Sequence, residues 1–129
     1  ERLKALKERI AIAARLGGDE FALVTSPLAR ADEALSVVQE IEQALMRPVV
    51  FETHVIPVSV SIGAVTVETP STLSIDAWLA KADMALYRAK RDGRGCSRLY
   101  DPAVDAGEST VTANACAAND QRSKVGRAA

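Results

Sequence analysis

The sequence is poor in aromatic residues, cysteine and histidine, and it carries almost no net charge. Its 129 residues include two Phe, two Tyr, one Trp, two Cys and one His. The 16 basic and 17 acidic side chains leave a formal charge of −1, which excludes a strongly basic nucleic-acid-binding surface. The two cysteines are not spaced as a metal or redox pair. We therefore expect no nucleic acid among the partners of this chain.

Long apolar runs are also absent. No run reaches the roughly 18 residues that a membrane-spanning helix needs. The N-terminus is charged and amphipathic, unlike a secretory leader, so we expect a cytoplasmic location. A longer parent protein could be anchored to a membrane through segments upstream. Because the chain opens on Glu1 inside a helical pattern rather than on Met, we also expect it to be a fragment.

Hydrophobic periodicity divides the chain into a domain over 1–101 and a tail over 102–129. Leu3, Leu6 and Ile10 share one face of a helix about three turns long. The remaining elements are a hairpin around Gly17 to Glu20, a helix over 28–46, two strands over 49–67 that turn near Thr53, a helix from the N-cap Ser74 to Gly93, and a last strand from Ser97 to Tyr100. From Asp101 onward no Leu, Ile, Phe, Met, Trp or Tyr occurs, which predicts an Ala-rich disordered tail or linker.

Several catalytic signatures are missing, and one local cluster stands in their place. The chain has no GxxxxGK[ST] phosphate loop, no HExxH and no GxSxG motif, and its single His54 lies in a strand-like context. The hairpin turn reads RLGGDEF over 15–21. Its glycines leave the backbone open to a ligand, and the carboxylates of Asp19 and Glu20 are the hard oxygen donors that Mg²⁺ takes. The same residues are ordinary turn chemistry, and spacing alone favours that plainer interpretation.

A second cluster is basic and lies at the end of the last long helix. It consists of Arg88, Lys90, Arg91 and Arg94. Arginine binds phosphate oxygens in bidentate fashion and lysine binds them as a point charge. Cations at a helix C-terminus also complement the helix dipole, so the cluster alone does not decide between a phosphate site and a structural role.

Three motifs in the same order give the chain a specific resemblance. They are ARLGGDEF over 14–21, VSIGA over 60–64, and ADMALYRAK over 82–90 followed by Gly93 and Arg94. Together they resemble the GGDEF domain of diguanylate cyclases, over about residues 1–101. The resemblance implies an α/β (α+β) fold like the palm of nucleotide cyclases, with a central, mainly antiparallel sheet flanked by helices.

The resemblance also implies an activity. Such domains condense two GTP molecules into cyclic di-GMP and two pyrophosphates across a homodimer interface, with Mg²⁺ or Mn²⁺ as cofactor. Asp19 and Glu20 match the acidic pair that serves metal binding and catalysis. Gly17 and Gly18 match the glycines that lie close to the nucleotide, and Lys90 and Arg94 match residues that contact its phosphates.

Two departures from the family pattern affect these expectations. The product-inhibition motif of the family is Arg-x-x-Asp, and Glu8 and Ala11 occupy its positions here, so we expect no cyclic di-GMP inhibition at that site. The family begins with a strand that carries a further metal-binding Asp and with a helical stretch that recognises guanine. Neither is present in these residues, which predicts a domain that lacks its N-terminal strand and has little or no activity as an isolated chain.

Two functions remain open at this point. The first is the C-terminal two-thirds of an active diguanylate cyclase domain, which the intact acidic pair favours. The second is a non-catalytic GTP-binding module that regulates a phosphodiesterase or another partner domain of the parent protein. A regulatory copy does not need both Asp19 and Glu20, so the first function is preferred.

Overall fold

The computed structural model describes residues 2–105, and the chain divides after Val58 into two compact units. The first unit contains α1 (Arg2–Ala5), β1 (Ile10–Gly17), β2 (Glu20–Thr25), α2 (Ala34–Leu45), β3 (Val49–Phe51) and β4 (His54–Ile56). The second contains β5 (Ile62–Ala64), α3 (Ile75–Arg91), β6 (Ser97–Leu99) and α4 (Pro102–Asp105). Among the described residues, no helix is long and apolar enough to cross a membrane.

The first helix is shorter than its periodicity predicts. Helix α1 spans only four residues, and Ile10, which the pattern assigned to the helix, is instead the first residue of β1 and pairs with Thr25. The amide of Ser26 donates to the carbonyl oxygen of Arg9 at 2.9 Å, which extends this pairing backwards. The prediction of three helical turns is wrong because strand pairing outweighs the weak local helical preference of the segment.

Helix α2 begins later than predicted, at Ala34 instead of Leu28. A short 3₁₀ turn over Ala31–Glu33 precedes it. The buried side chains of α2 are Ala34, Val37, Val38 and Ile41, so the helix starts where its buried face starts. The guanidinium of Arg2 donates to the carbonyl oxygens of Leu45 at 2.6 Å and Pro48 at 2.9 Å, and so caps the other end of α2.

The strands pair in three two-stranded sheets. Strands β1 and β2 are antiparallel, as are β3 and β4, whereas β5 and β6 are parallel and are joined through α3. The predicted turn near Thr53 is confirmed, but the segment 49–67 holds three strands and not two. The mixture of helices with mainly antiparallel strands agrees with the predicted α/β class.

Helix α3 packs directly against β5 through Gly63. A Cβ built on Gly63 would lie 2.7 Å from the Cα of Leu86 and closer still to the backbone oxygen of Ala82 and the backbone nitrogen of Leu86. The side chains of Ala85 and Ala89 are fully buried on the same helix. Ser74 caps the start of α3, as predicted, by accepting a hydrogen bond from the amide of Ala77 at 3.2 Å.

The predicted tail is described only at its beginning. Residues Pro102–Asp105 form α4, and the Oδ1 atom of Asp101 accepts a hydrogen bond from the amide of Ala103 at 2.9 Å at its start. Residues 106–129 lie outside the described part of the chain, so the tail there stays a prediction.

Candidate active site

The signature hairpin places four predicted site residues on one turn. Gly17 at the end of β1 pairs with Glu20 at the start of β2, which leaves Gly18 and Asp19 as the two turn residues. Gly18 has a φ of 53°, in the left-handed region that glycine adopts without steric cost. A Cβ built on either glycine would meet no atom within 4 Å. The backbone of the turn is therefore open to a ligand.

Arg15 stabilises the turn from within the hairpin. Its Nε and Nη2 atoms both donate to the carbonyl oxygen of Gly18, at 3.0 and 2.7 Å. Asp19 follows Gly18 directly in the chain, so the same pair of hydrogen bonds constrains the peptide that leads to the first carboxylate. The strand register also shifts between Arg15 and Gly17, which is a bulge close to the turn.

The carboxylates of Asp19 and Glu20 are exposed. Within residues 2–105, neither Asp19 nor Glu20 makes a side-chain hydrogen bond or an ion pair. The same part of the chain contains no group of three or more His, Cys, Asp or Glu side chains that could hold a metal ion without other ligands. Two adjacent carboxylates fit Mg²⁺, which takes only one or two from the protein and completes its shell with water and substrate phosphates.

The predicted phosphate-binding residues lie at the end of α3, in the second unit. Lys90 is in the last turn of the helix, and its side chain and that of Arg94 are exposed without an ion-pair partner among the described residues. Gly93, with a φ of 115°, ends the helix, and the amide of Arg94 donates to the carbonyl oxygen of Ala89 at 3.1 Å.

Arg94 itself has an unusual backbone conformation. Its φ of 62° lies in the left-handed region, where a side chain such as arginine costs about 1–2 kcal/mol. Residues held in such conformations are concentrated at functional sites. Arg94 thus places a cationic side chain at a backbone position that glycine would adopt at lower cost.

Arg88 differs from the other members of the basic cluster. Its Nε lies 3.2 Å from Oδ1 of Asp105, its Nη2 donates to the carbonyl oxygen of Leu99, and only 16% of its side chain is exposed. Arg88 therefore has a structural role, whereas Lys90 and Arg94 are exposed and have no ion-pair partner in the part of the chain that the structure describes.

Glu8 and Ala11 are both exposed. The carbonyl oxygen of Glu8 accepts a hydrogen bond from Oγ of Ser26 at 3.1 Å, so the backbone is held while the acidic side chain faces solvent. An acidic surface at this position repels an anionic dinucleotide, and the absence of product inhibition here stays a prediction.

Comparison with known proteins decides the family. The family model for the diguanylate cyclase, GGDEF domain, matches residues 1–96. The chain belongs to the GGDEF family. This GGDEF domain is 37% identical over 95 residues to the diguanylate cyclase TpbB of Pseudomonas aeruginosa, covering 70% of the chain and 21% of TpbB. It is 32% identical over 80 residues to the probable diguanylate cyclase DgcC of Escherichia coli, covering 62% of the chain and 21% of DgcC.

A solved structure supports the same fold. The GGDEF domain of TpbB superposes with a TM-score of 0.58 at 37% identity, covering 70% of this chain and 52% of the solved one. The palm-like α/β fold predicted from the resemblance is thereby confirmed. This GGDEF domain thus spans about a fifth of the length of TpbB and of DgcC, and about half of the solved domain.

The sequence does not predict two contacts that the structure contains. The first is the close contact of Gly63 with helix α3. A glycine inside an alternating strand pattern often marks a place where another backbone comes close, so the sequence does contain a signal for this contact. The contact of Asp105 with Arg88 has no such signal, because ion pairs between distant positions follow no local spacing.

Proposed function

We propose that the protein containing this GGDEF domain is a diguanylate cyclase, which condenses two GTP molecules into cyclic di-GMP and two pyrophosphates. The observation that carries the proposal is the turn itself. Asp19 and Glu20 are exposed and have no side-chain partner within residues 2–105, and they lie next to two glycines with open space around them. A turn that is merely solvated needs neither an adjacent pair of acids nor the two hydrogen bonds that Arg15 donates to Gly18. The relatives named above include diguanylate cyclases, which supports the same proposal.

Each half-reaction exchanges one phosphorus–oxygen bond for another. The 3′-oxygen of one GTP forms a bond to the α-phosphorus of the other, the bond to the β-phosphate bridging oxygen breaks, and pyrophosphate leaves. Asp19 accepts the proton of the 3′-hydroxyl. Asp19 and Glu20 would also hold Mg²⁺ or Mn²⁺, which when bound neutralises charge on the reacting phosphates.

Lys90 and Arg94 are proposed to bind the phosphates of GTP. Both are exposed, and neither is neutralised by a carboxylate within residues 2–105. Arg94 offers a guanidinium for two parallel hydrogen bonds to phosphate oxygens, while Lys90 contributes a compact charge. Charge neutralisation and positioning supply most of the barrier reduction in phosphoryl transfer, so both cations act on the transition state as well as on binding.

The reaction needs two copies of the site. Each copy would hold one GTP, and the product forms only when two copies bring their nucleotides together. The specific activity of the full-length protein should therefore fall on dilution below the dissociation constant of the homodimer.

The test uses the full-length gene product with GTP and Mg²⁺, and follows cyclic di-GMP by chromatography. Asp19→Asn keeps the size of the side chain and removes its charge. We expect it to lower the rate by about 100-fold or more, with an unchanged melting temperature. The matched control is Asp32→Asn, which removes an exposed carboxylate of the same unit that pairs with Arg30. It should leave the rate unchanged.

The outcomes separate the cyclase from a regulatory module. No cyclic di-GMP from folded wild-type protein would contradict the cyclase proposal. GTP binding without product, together with GTP-dependent stimulation of an adjoining phosphodiesterase domain that Asp19→Asn abolishes, would support a regulatory GGDEF module instead.

A further inference from the structure

Two ion pairs hold the C-terminal turn of α3. Arg88 pairs with Asp105 of α4 at 3.2 Å, and Asp92, which follows the last helical residue, pairs with Arg98 of β6 at 2.9 Å. All four side chains are at most 17% exposed. Lys90 and Arg94 lie in the same stretch of chain, and their side chains are exposed. Near the end of α3, Arg88 is thus neutralised by a carboxylate, whereas Lys90 and Arg94 face solvent.

Asp105 is the most enclosed of these groups. Only 3% of its side chain is exposed, and its Oδ2 atom accepts a hydrogen bond from the amide of Asp101 at 2.8 Å. The buried Nε of Arg88 has no hydrogen-bond acceptor within residues 2–105, so the charge of Asp105 is what compensates it there. A buried charge left without its partner is strongly unfavourable. Removing the carboxylate should therefore displace Arg88 towards solvent.

The position of Arg88 is linked to that of the two exposed cations. Lys90 lies two residues after Arg88 on the same helix. The carbonyl oxygen of Arg88 accepts from the amide of Asp92 at 2.9 Å, and the carbonyl oxygen of the next residue, Ala89, accepts from the amide of Arg94 at 3.1 Å. The side-chain contacts of Arg88 with Asp105 and Leu99 thus anchor the turn in which these backbone bonds lie, and their loss would loosen the backbone from which both cations extend.

We propose that Asp105 is a positioning residue for the binding of nucleotide phosphates: it holds Arg88, and through Arg88 the turn of α3 that presents Lys90 and Arg94. This inference rests on the proposed function. Asp105 lies beyond residue 96, where the match to the family model ends. The segment that follows the matched domain is thereby coupled to its phosphate-binding end.

The test measures the dissociation constant of Mg²⁺–GTP for the full-length protein by calorimetry. Asp105→Asn removes the charge and should raise the dissociation constant about tenfold, because a small displacement of positioning groups is costly. Arg88→Gln should have a similar effect, and the double variant should bind no more weakly than either single variant. The matched control Asp32→Asn removes an exposed partner of Arg30 and should bind as wild type.

Hydrogen exchange without nucleotide provides an independent readout. In Asp105→Asn, the amides of Asp92 and Arg94 should exchange faster than in the wild type, while those of α2 keep their rates. Should Asp105→Asn fail to fold, Arg88→Gln replaces it, since glutamine removes the charge that pairs with Asp105.

An unchanged dissociation constant in folded Asp105→Asn, or in Arg88→Gln where the former does not fold, would overturn the inference. Additive losses in the double variant would overturn it too, since they would mean that Asp105 does not act through Arg88. If wild-type protein binds no GTP, the proposed function fails, and the exchange rates still decide whether Asp105 holds the end of α3.

Discussion

The guanidinium of Arg15 donates two hydrogen bonds, of 3.0 and 2.7 Å, to the carbonyl oxygen of Gly18, one residue before the first acid of the signature turn. These bonds are exposed, so their net contribution to the stability of the fold is modest, about 1 kcal/mol. Their consequence is geometric, because they fix the orientation of the peptide that joins Gly18 to Asp19.

Replacement of Arg15 should lower the activity and leave the stability of the fold nearly unchanged. We expect Arg15→Lys to change the free energy of unfolding by less than about 1 kcal/mol, since lysine keeps the charge and loses only the fork geometry. Cyclic di-GMP formation should fall about tenfold because Asp19 becomes less well placed. The control is Arg30→Lys, since Arg30 makes a similar exposed fork to Asp32. Equal rates for the two variants would contradict a positioning role for Arg15.

The two glycines of the turn should respond differently to alanine. Gly18 has a φ of 53°, so Gly18→Ala should destabilise the protein by about 1 kcal/mol. Gly17 lies outside the left-handed region and has open space around it, so Gly17→Ala should change stability by less than about 1 kcal/mol. Its new methyl group would nevertheless stand where the nucleotide approaches, and should weaken GTP binding. Urea denaturation and calorimetry measure the two effects separately, and unaltered GTP binding by Gly17→Ala would argue against close contact at this position.

A stability prediction follows from the contact of α3 with β5. Gly63→Ala would drive a methyl group into the backbone of Ala82 and Leu86, which cannot move aside as a flexible side chain does. We expect a loss of about 3 kcal/mol in the free energy of unfolding, the upper part of the usual range for an overpacked site. Gly17→Ala is the matched control, because the same substitution there meets no atom within 4 Å. Similar denaturation midpoints for the two variants would contradict the direct packing of helix on strand.

A structural feature can be predicted from this sequence when the residues that determine it are close together in the chain. The hairpin turn, the Ser74 cap and the exposed cations Lys90 and Arg94 are encoded within a few residues of themselves, and all four features are found at the predicted positions. The early end of α1 depends on the pairing of Ile10 with Thr25, fifteen positions away.

The same limit applies to the basic cluster. Composition shows four cations near the end of α3, but it does not show that Arg88 is buried and paired with Asp105 while Lys90 is exposed. Burial and pairing of that kind arise from tertiary packing, which neither helical periodicity nor charge spacing encodes.

Replacement of Arg94 should affect GTP binding without lowering the stability of the fold. Its φ of 62° suits glycine better than arginine, so Arg94→Gly removes the cation while the backbone conformation becomes easier to adopt. We expect the free energy of unfolding to stay equal or rise by up to about 1 kcal/mol, while the dissociation constant of GTP increases about tenfold through loss of a charge-assisted hydrogen bond. Arg91→Gly, at an exposed position in the last turn of α3, is the control for loss of one positive charge and should destabilise the helix without the same loss of GTP affinity. A stable Arg94→Gly protein that binds GTP as the wild type does would exclude Arg94 from the phosphate site.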